Sequence, residues 1–172
     1  SQAGKEKYAG HGHWNDPDML VVAKVGWGPQ LHPTRLSPNE QYTHISLWAL
    51  LASPLLIGCD MTQLDEFTYS LLTNDEVLDI NQDVLGKQAA RIVQYGSLEI
   101  WAKDLEDGSK AVGLFNRGLF PASLTVTWKD LGIMGNQTIR DVWMQKDISI
   151  SDQKFTATIP AHGVKLVRIY RE

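Results

Sequence analysis

Along the first half of the chain the apolar residues recur at helical spacing. In SPNEQYTHISLWALLAS, residues Ile45, Trp48, Ala49 and Ala52 stand three and four positions apart, the pattern of a helix that buries one stripe. Ser37 occupies an N-cap position, Pro38 follows at the first helical position, and Glu40 completes a capping box. Pro54 is the expected stop. Residues 54–58, PLLIG, are apolar without a polar break, which reads as a short strand buried on both faces, as in a parallel sheet. TNDEVLDINQD repeats the helix signature, with Thr73 as cap and Glu76 at the third helical position before Val77, Leu78 and Ile80.

Near residue 90 the period drops to two. Leu98, Ile100 and Ala102 alternate with Glu99, Trp101 and Lys103, and Asp107-Gly108 is a hairpin signal before KAVGLFN. Leu124, Val126 and Trp128 alternate with threonines, and TIRDVWM, KFTATI and VKLVRIY supply three more strands. The chain therefore divides near Ala90. Residues 1–90 have the rhythm of an α/β barrel or doubly wound sheet, and residues 91–172 that of an antiparallel β-sandwich of about 80 residues. Two buried strands cannot close a barrel or satisfy a parallel sheet's edges, so a further part of the sheet is expected ahead of residue 1.

Composition changes this picture little. An apolar fraction of 43% and a charged fraction of 21% over 172 residues describe an ordinary globular chain, and a net charge of -4 gives no reason to expect nucleic acid. No apolar run reaches the roughly 20 residues that cross a bilayer, so no membrane partner is expected. The first ten residues lack the apolar core of a secretion signal. Cys59 is the single cysteine and cannot form an internal disulfide. Asn136-Gln137-Thr138 is a glycan acceptor sequon.

The chemistry-bearing stretch is GHWNDPDML, residues 12–20. Asp16 and Asp18, two apart in an extended segment, lie on one side with backbones roughly 6.6 Å apart, so a catalytic carboxylate pair is one reading. A retaining glycosidase, however, needs its nucleophile and acid to approach the sugar from different positions. The other reading is a strand-end turn, in which Asp16 and Asn15 bond backbone amides and Pro17 holds Asp16 extended. His11 and His13 offer two metal ligands without a third at a recognised spacing. Asp60 is a loop cap or a functional-face carboxylate, while Asn81, Gln82 and Asp83 read as a tie between the two halves. Trp101, Trp128 and Trp143 are core positions or a sugar-stacking platform.

GHWNDPDML, QYTHISLWALLASPLLIGCDM, NDEVLDINQDVLGKQ and IPAHGVKLVRI, in this order, resemble glycoside hydrolase family 27, the α-galactosidases (melibiases) and their relatives. The resemblance implies a retaining exo-glycosidase that removes terminal α-linked galactose, built as a TIM (β/α)8 barrel followed by an antiparallel β domain. It makes residues 1–90 the last strand-helix units of an incomplete barrel and residues 91–172 the C-terminal β domain. It places the segment after the seventh strand, with Asp18 and Met19 as substrate-binding residues and Trp14, Asn15, Asp16 and Pro17 shaping their turn. The family's catalytic aspartates belong to earlier strands, so none is expected in this chain. No cofactor and no metal are implied. The expected partners are a carbohydrate bearing terminal α-galactose and the N-terminal half of the barrel. An extracellular, periplasmic or lysosomal location is favoured. α-N-acetylgalactosaminidase, β-L-arabinopyranosidase, a non-catalytic carbohydrate-binding module and an assembly fragment stay open.

Overall fold

The computed structural model describes residues 2–171. A short hairpin joins β1 (Lys24–Val25) to β2 (His32–Pro33), followed by helices α1 (Pro38–Leu50), α2 (Glu66–Leu72) and α3 (Asp75–Asn81). The predicted capping box forms: the Ser37 hydroxyl accepts from the Glu40 amide while the Glu40 carboxylate accepts from the Ser37 amide. The helix stops earlier than Pro54. Leu51 is its C-cap and Ala52 turns to φ 50°, so Ala52 leaves the predicted stripe, whereas Ile45 and Ala49 are buried on it.

The second predicted cap moves by one residue. Thr73 closes α2, and the Asn74 side chain accepts from the Val77 amide to start α3. Residues 54–58 differ more from expectation. They pair in parallel with the segment around Leu20, through Leu20 N to Leu56 O at 2.7 Å and Gly58 N to Leu20 O at 2.9 Å. They are not buried on both faces: Leu56 and Ile57 are exposed. With two parallel segments and no neighbour beyond them among the described residues, one apolar face stays bare.

The remainder is antiparallel. The strands are β3 (Ala90–Tyr95), β4 (Leu98–Asp104), β5 (Lys110–Asn116) and β6 (Ala122–Thr127), the turn of helix α4 (Trp128–Leu131), then β7 (Gln137–Asp141), β8 (Lys146–Ser151), β9 (Lys154–Ile159) and β10 (Val164–Tyr170). A six-stranded sheet in the order β3-β4-β5-β10-β7-β8 faces the pair β6-β9. Trp128, expected in a strand, instead opens α4, because Thr127 and Asp130 form a second capping box. Strand β7 ends at Asp141, before the expected Met144, because the Asp141 carboxylate accepts from the Met144 amide and turns the chain.

Both faces of the large sheet are covered. Ile100, Val112, Leu114, Ile139, Val167 and Ile169 pack towards β6, β9 and Trp128. Trp101, Phe115 and Leu166 share one core with Leu20, Ile45, Leu50 and Ile80 from the helical part. Gly113 permits that contact: a Cβ there would stand 2.6 Å from Leu50 Cδ1 and 2.5 Å from the Phe115 ring. Polar ties close the seam. Arg140 grips both Glu76 carboxylate oxygens with Nε and Nη2, Trp143 donates to the Ser46 hydroxyl at 2.9 Å, and the Lys103 ammonium reaches the Ile80 carbonyl at the end of α3. Burial pushes the Lys103 pKa down to about 8, with Asp83 opposing.

Candidate functional site

The segment containing GHWNDPDML is pinned from three sides. His11 Nε2 meets the Val84 carbonyl at 2.8 Å, and its ring stands edge-on to Trp14. Contrary to expectation, Asn15 does not bond a backbone amide; its side-chain amide donates to the Lys5 carbonyl and to Gln88 Oε1. Asp16 does shape the turn, because its Oδ1 accepts from the Asp18 amide at 2.9 Å. Asp18 is held at φ 83°, a left-handed conformation that costs a non-glycine residue energy and persists only where surrounding contacts impose it. Its Oδ1 accepts from the Met19 amide at 2.7 Å.

Helix α1 supplies the next contacts. The Trp48 indole donates to the Asp18 carbonyl at 2.8 Å, and His44 Nε2 accepts from the Val21 amide at 3.1 Å. The two rings, one helical turn apart, meet edge-on with centroids 4.1 Å apart. Burial pushes the His44 pKa down to about 4, with a hydrogen bond to the Met19 backbone opposing, so at neutral pH the ring is uncharged, and Nε2 accepts from the Val21 amide.

Beyond the turn the side chains alternate. Leu20 (1% exposed) and Val22 (0%) enter the core against the helices, while Met19 (38%) and Val21 (40%) face outward. Met19 and Val21 line a cleft of about 350 Å³ with Trp27, Ile57, Cys59 and Asp60. Gly58 brings the paired segments close there, since a Cβ on it would lie 2.9 Å from Met19 Cβ. The Asp60 carboxylate accepts from the Thr62 hydroxyl and amide and from the Gln63 side chain. Those bonds, the Thr62 hydroxyl first, hold it below the ordinary carboxylate range, so Asp60 acts as the cap of the turn at Met61–Gln63. Burial, with Asp60 adding, raises the Cys59 thiol, which leaves it protonated and a poor nucleophile at neutral pH.

The structure thus separates residues that the sequence places side by side. Met19 belongs to the cleft with Asp60. Trp14 lines a different hollow of about 540 Å³ with His11, Ser53, Asn81 and Asp83. Asp16 and Asp18 lie four and two residues ahead of Leu20, which bridges Ile57 in parallel. The three tryptophans Trp101, Trp128 and Trp143 are buried or half-buried and form no platform. Among the described residues no group of three or more His, Cys, Asp or Glu is placed to hold a metal, and no helix is long and apolar enough to cross a membrane. His44, Trp48 and Trp27 were not singled out for the site from sequence; the i, i+4 spacing of His44 and Trp48 on a well-capped helix was the available signal.

Comparison with known proteins covers nearly all of the chain. Residues 2–83 match a family model described as "Alpha galactosidase A", and residues 95–169 match one described as "Alpha galactosidase C-terminal beta sandwich domain". The α-galactosidase of Cyamopsis tetragonoloba is 38% identical over 161 residues, which cover 92% of this chain and 37% of that protein. Alpha-galactosidase 2 of Arabidopsis thaliana is 37% identical, covering 95% and 40%. Among solved structures, α-galactosidase I from Mortierella vinacea superposes with a TM-score of 0.86 at 31% identity, covering 95% of this chain and 41% of that one. A β-L-arabinopyranosidase from Geobacillus stearothermophilus superposes at 0.87 and 32% identity, covering 93% and 38%. The chain thus spans about two fifths of the length of these relatives.

Proposed function

The chain belongs to glycoside hydrolase family 27, the α-galactosidase (melibiase) family, and from that premise we propose that it supplies the last two strand-helix units of the catalytic barrel, residues 1–90, and the β domain, residues 91–172, of a retaining exo-α-galactosidase. In such an enzyme one carboxylate forms a covalent glycosyl intermediate while another donates and then removes a proton, the two standing about 5 to 5.5 Å apart. The family resemblance assigns that chemistry to aspartates of earlier barrel strands, and Asp16 and Asp60 are committed to turns here. Asp18 and Met19 bind: Asp18 accepts a hydrogen bond from a sugar hydroxyl, and Met19 lies against the ring carbons.

The observation that carries this reading is the turn at residues 16–19. A solvent-exposed aspartate is held in a left-handed conformation directly before a segment whose alternate side chains, Leu20 and Val22, enter the core while Met19 and Val21 face the cleft. The chain alone is expected to leave a nitrophenyl α-galactoside intact. Hydrolysis by the purified 172-residue chain that disappears on Asp18→Ala would overturn the binding role. A β-L-arabinopyranoside is the second substrate to assay, on the strength of the 32% identity to the Geobacillus enzyme.

A further inference from the structure

We infer that His44 and Trp48 are positioning residues: two rings one turn apart on α1 that clamp the backbone on either side of Met19 and so set where Asp18 and Met19 meet a sugar. This inference rests on the binding role proposed for Asp18 and Met19.

The clamp has two jaws with opposite chemistry. Trp48 is a pure donor and takes the Asp18 carbonyl; neutral His44 presents an acceptor and takes the Val21 amide. Residues 18 and 21 bracket the only two positions between them, Met19 and Leu20. Leu20 is further fixed by its bonds to Leu56 and Gly58, so the register of Met19 against the cleft is determined from both ends. The left-handed backbone of Asp18 needs such support, because its own local bonds, to the Asp16 carboxylate and from the Met19 amide, lie within an exposed turn that water competes for. The edge-on contact of the two rings couples the jaws, since each ring limits the rotamers of the other. The polar atoms that hold the turn, the Trp48 indole N–H and His44 Nε2, are both spent on backbone. Their influence therefore runs through Asp18 and Met19.

The test compares Trp48→Phe, His44→Leu and His44→Gln in the 172-residue chain. Glutamine retains an acceptor at nearly the position of Nε2, leucine does not, and phenylalanine keeps the ring but loses the donor. Amide hydrogen exchange read by NMR should accelerate roughly fivefold to tenfold at residues 18–21 in Trp48→Phe and His44→Leu, with protection of β4 and β5 unchanged and His44→Gln close to wild type. Exchange that stays at the wild-type rate in both variants, or that rises equally across the whole chain, would overturn the clamp. A galactose titration followed at the Met19 methyl should show binding weakened by the same factor in Trp48→Phe and His44→Leu and restored in His44→Gln; equal binding in all variants would also overturn it. A wild-type Met19 methyl that does not respond to galactose would instead overturn the sugar-binding reading, and the exchange rates would still decide the clamp.

Discussion

Single residues carry much of this fold, and two are open to direct test. A Cβ on Gly113 would collide with Phe115 and Leu50 at the seam between sheet and helix, and overpacking of this kind costs about 1–3 kcal/mol. Gly113→Ala should therefore lower the urea midpoint without changing the slope of the transition. His44 supplies a pH signature. Its folded pKa of about 4 lies below the ordinary value of 6.5, so the stability it confers is complete above about pH 6.5 and is lost as pH falls towards 4. At 1.36 kcal/mol per pKa unit the loss is at most about 3 kcal/mol, reduced by partial exposure of the ring. As pH falls across that window the denaturation midpoint of wild type should drop relative to that of His44→Gln, which takes up no proton there. The paired role of His44 was hidden in the sequence because its partner is a backbone amide 23 residues away, whereas the turn-forming role of Asp16 was legible from Pro17 and from the short reach of an aspartate to the second following amide.

Elements explain where the pattern of letters succeeded and where it misled. Ser37 and Glu40 announce α1 because a capping box is a local device, and Ser37→Ala should cost about 1 kcal/mol in a thermal melt. In the TND run the letters alone do not decide between Thr73 and Asn74, both competent caps; the preceding helix α2 decides it by ending on Thr73. Trp128 kept strand alternation on paper, yet Thr127 and Asp130 cap a helical turn there. Strand β8, KDISIS, is masked in the sequence because Val142 and Trp143 extend the apolar pattern of β7 past the turn that Asp141 makes. Between elements, the two-pronged grip of Arg140 on Glu76 joins β7 to α3. Lysine cannot form that fork, so Arg140→Lys should lower stability, read as a shift of the urea midpoint, even though it keeps the charge.

For the whole molecule, one core unites residues from both halves, so the α/β part and the β domain pack as a continuous body even though the period of their sequences changes near Ala90. The side of residues 19–31 and 56–61 away from that core leaves Met19, Val21, Trp27, Leu31, Leu56, Ile57 and Met61 exposed. The run PLLIG reads as a strand buried on both faces, but here Leu56 and Ile57 stand bare; the interior of a complete barrel would cover them. The assignment of sugar binding to Asp18 and Met19 meets its most direct test in a chimera. This chain replaces the matching 37% of the Cyamopsis tetragonoloba α-galactosidase, and kcat/KM is measured on a nitrophenyl α-galactoside. The account predicts an active chimera in which Asp18→Ala lowers kcat/KM at least tenfold, as loss of a charged hydrogen bond to substrate of roughly 1.5–3 kcal/mol requires, while the chain alone stays inert. A folded chimera without activity, or one indifferent to Asp18→Ala, would contradict it.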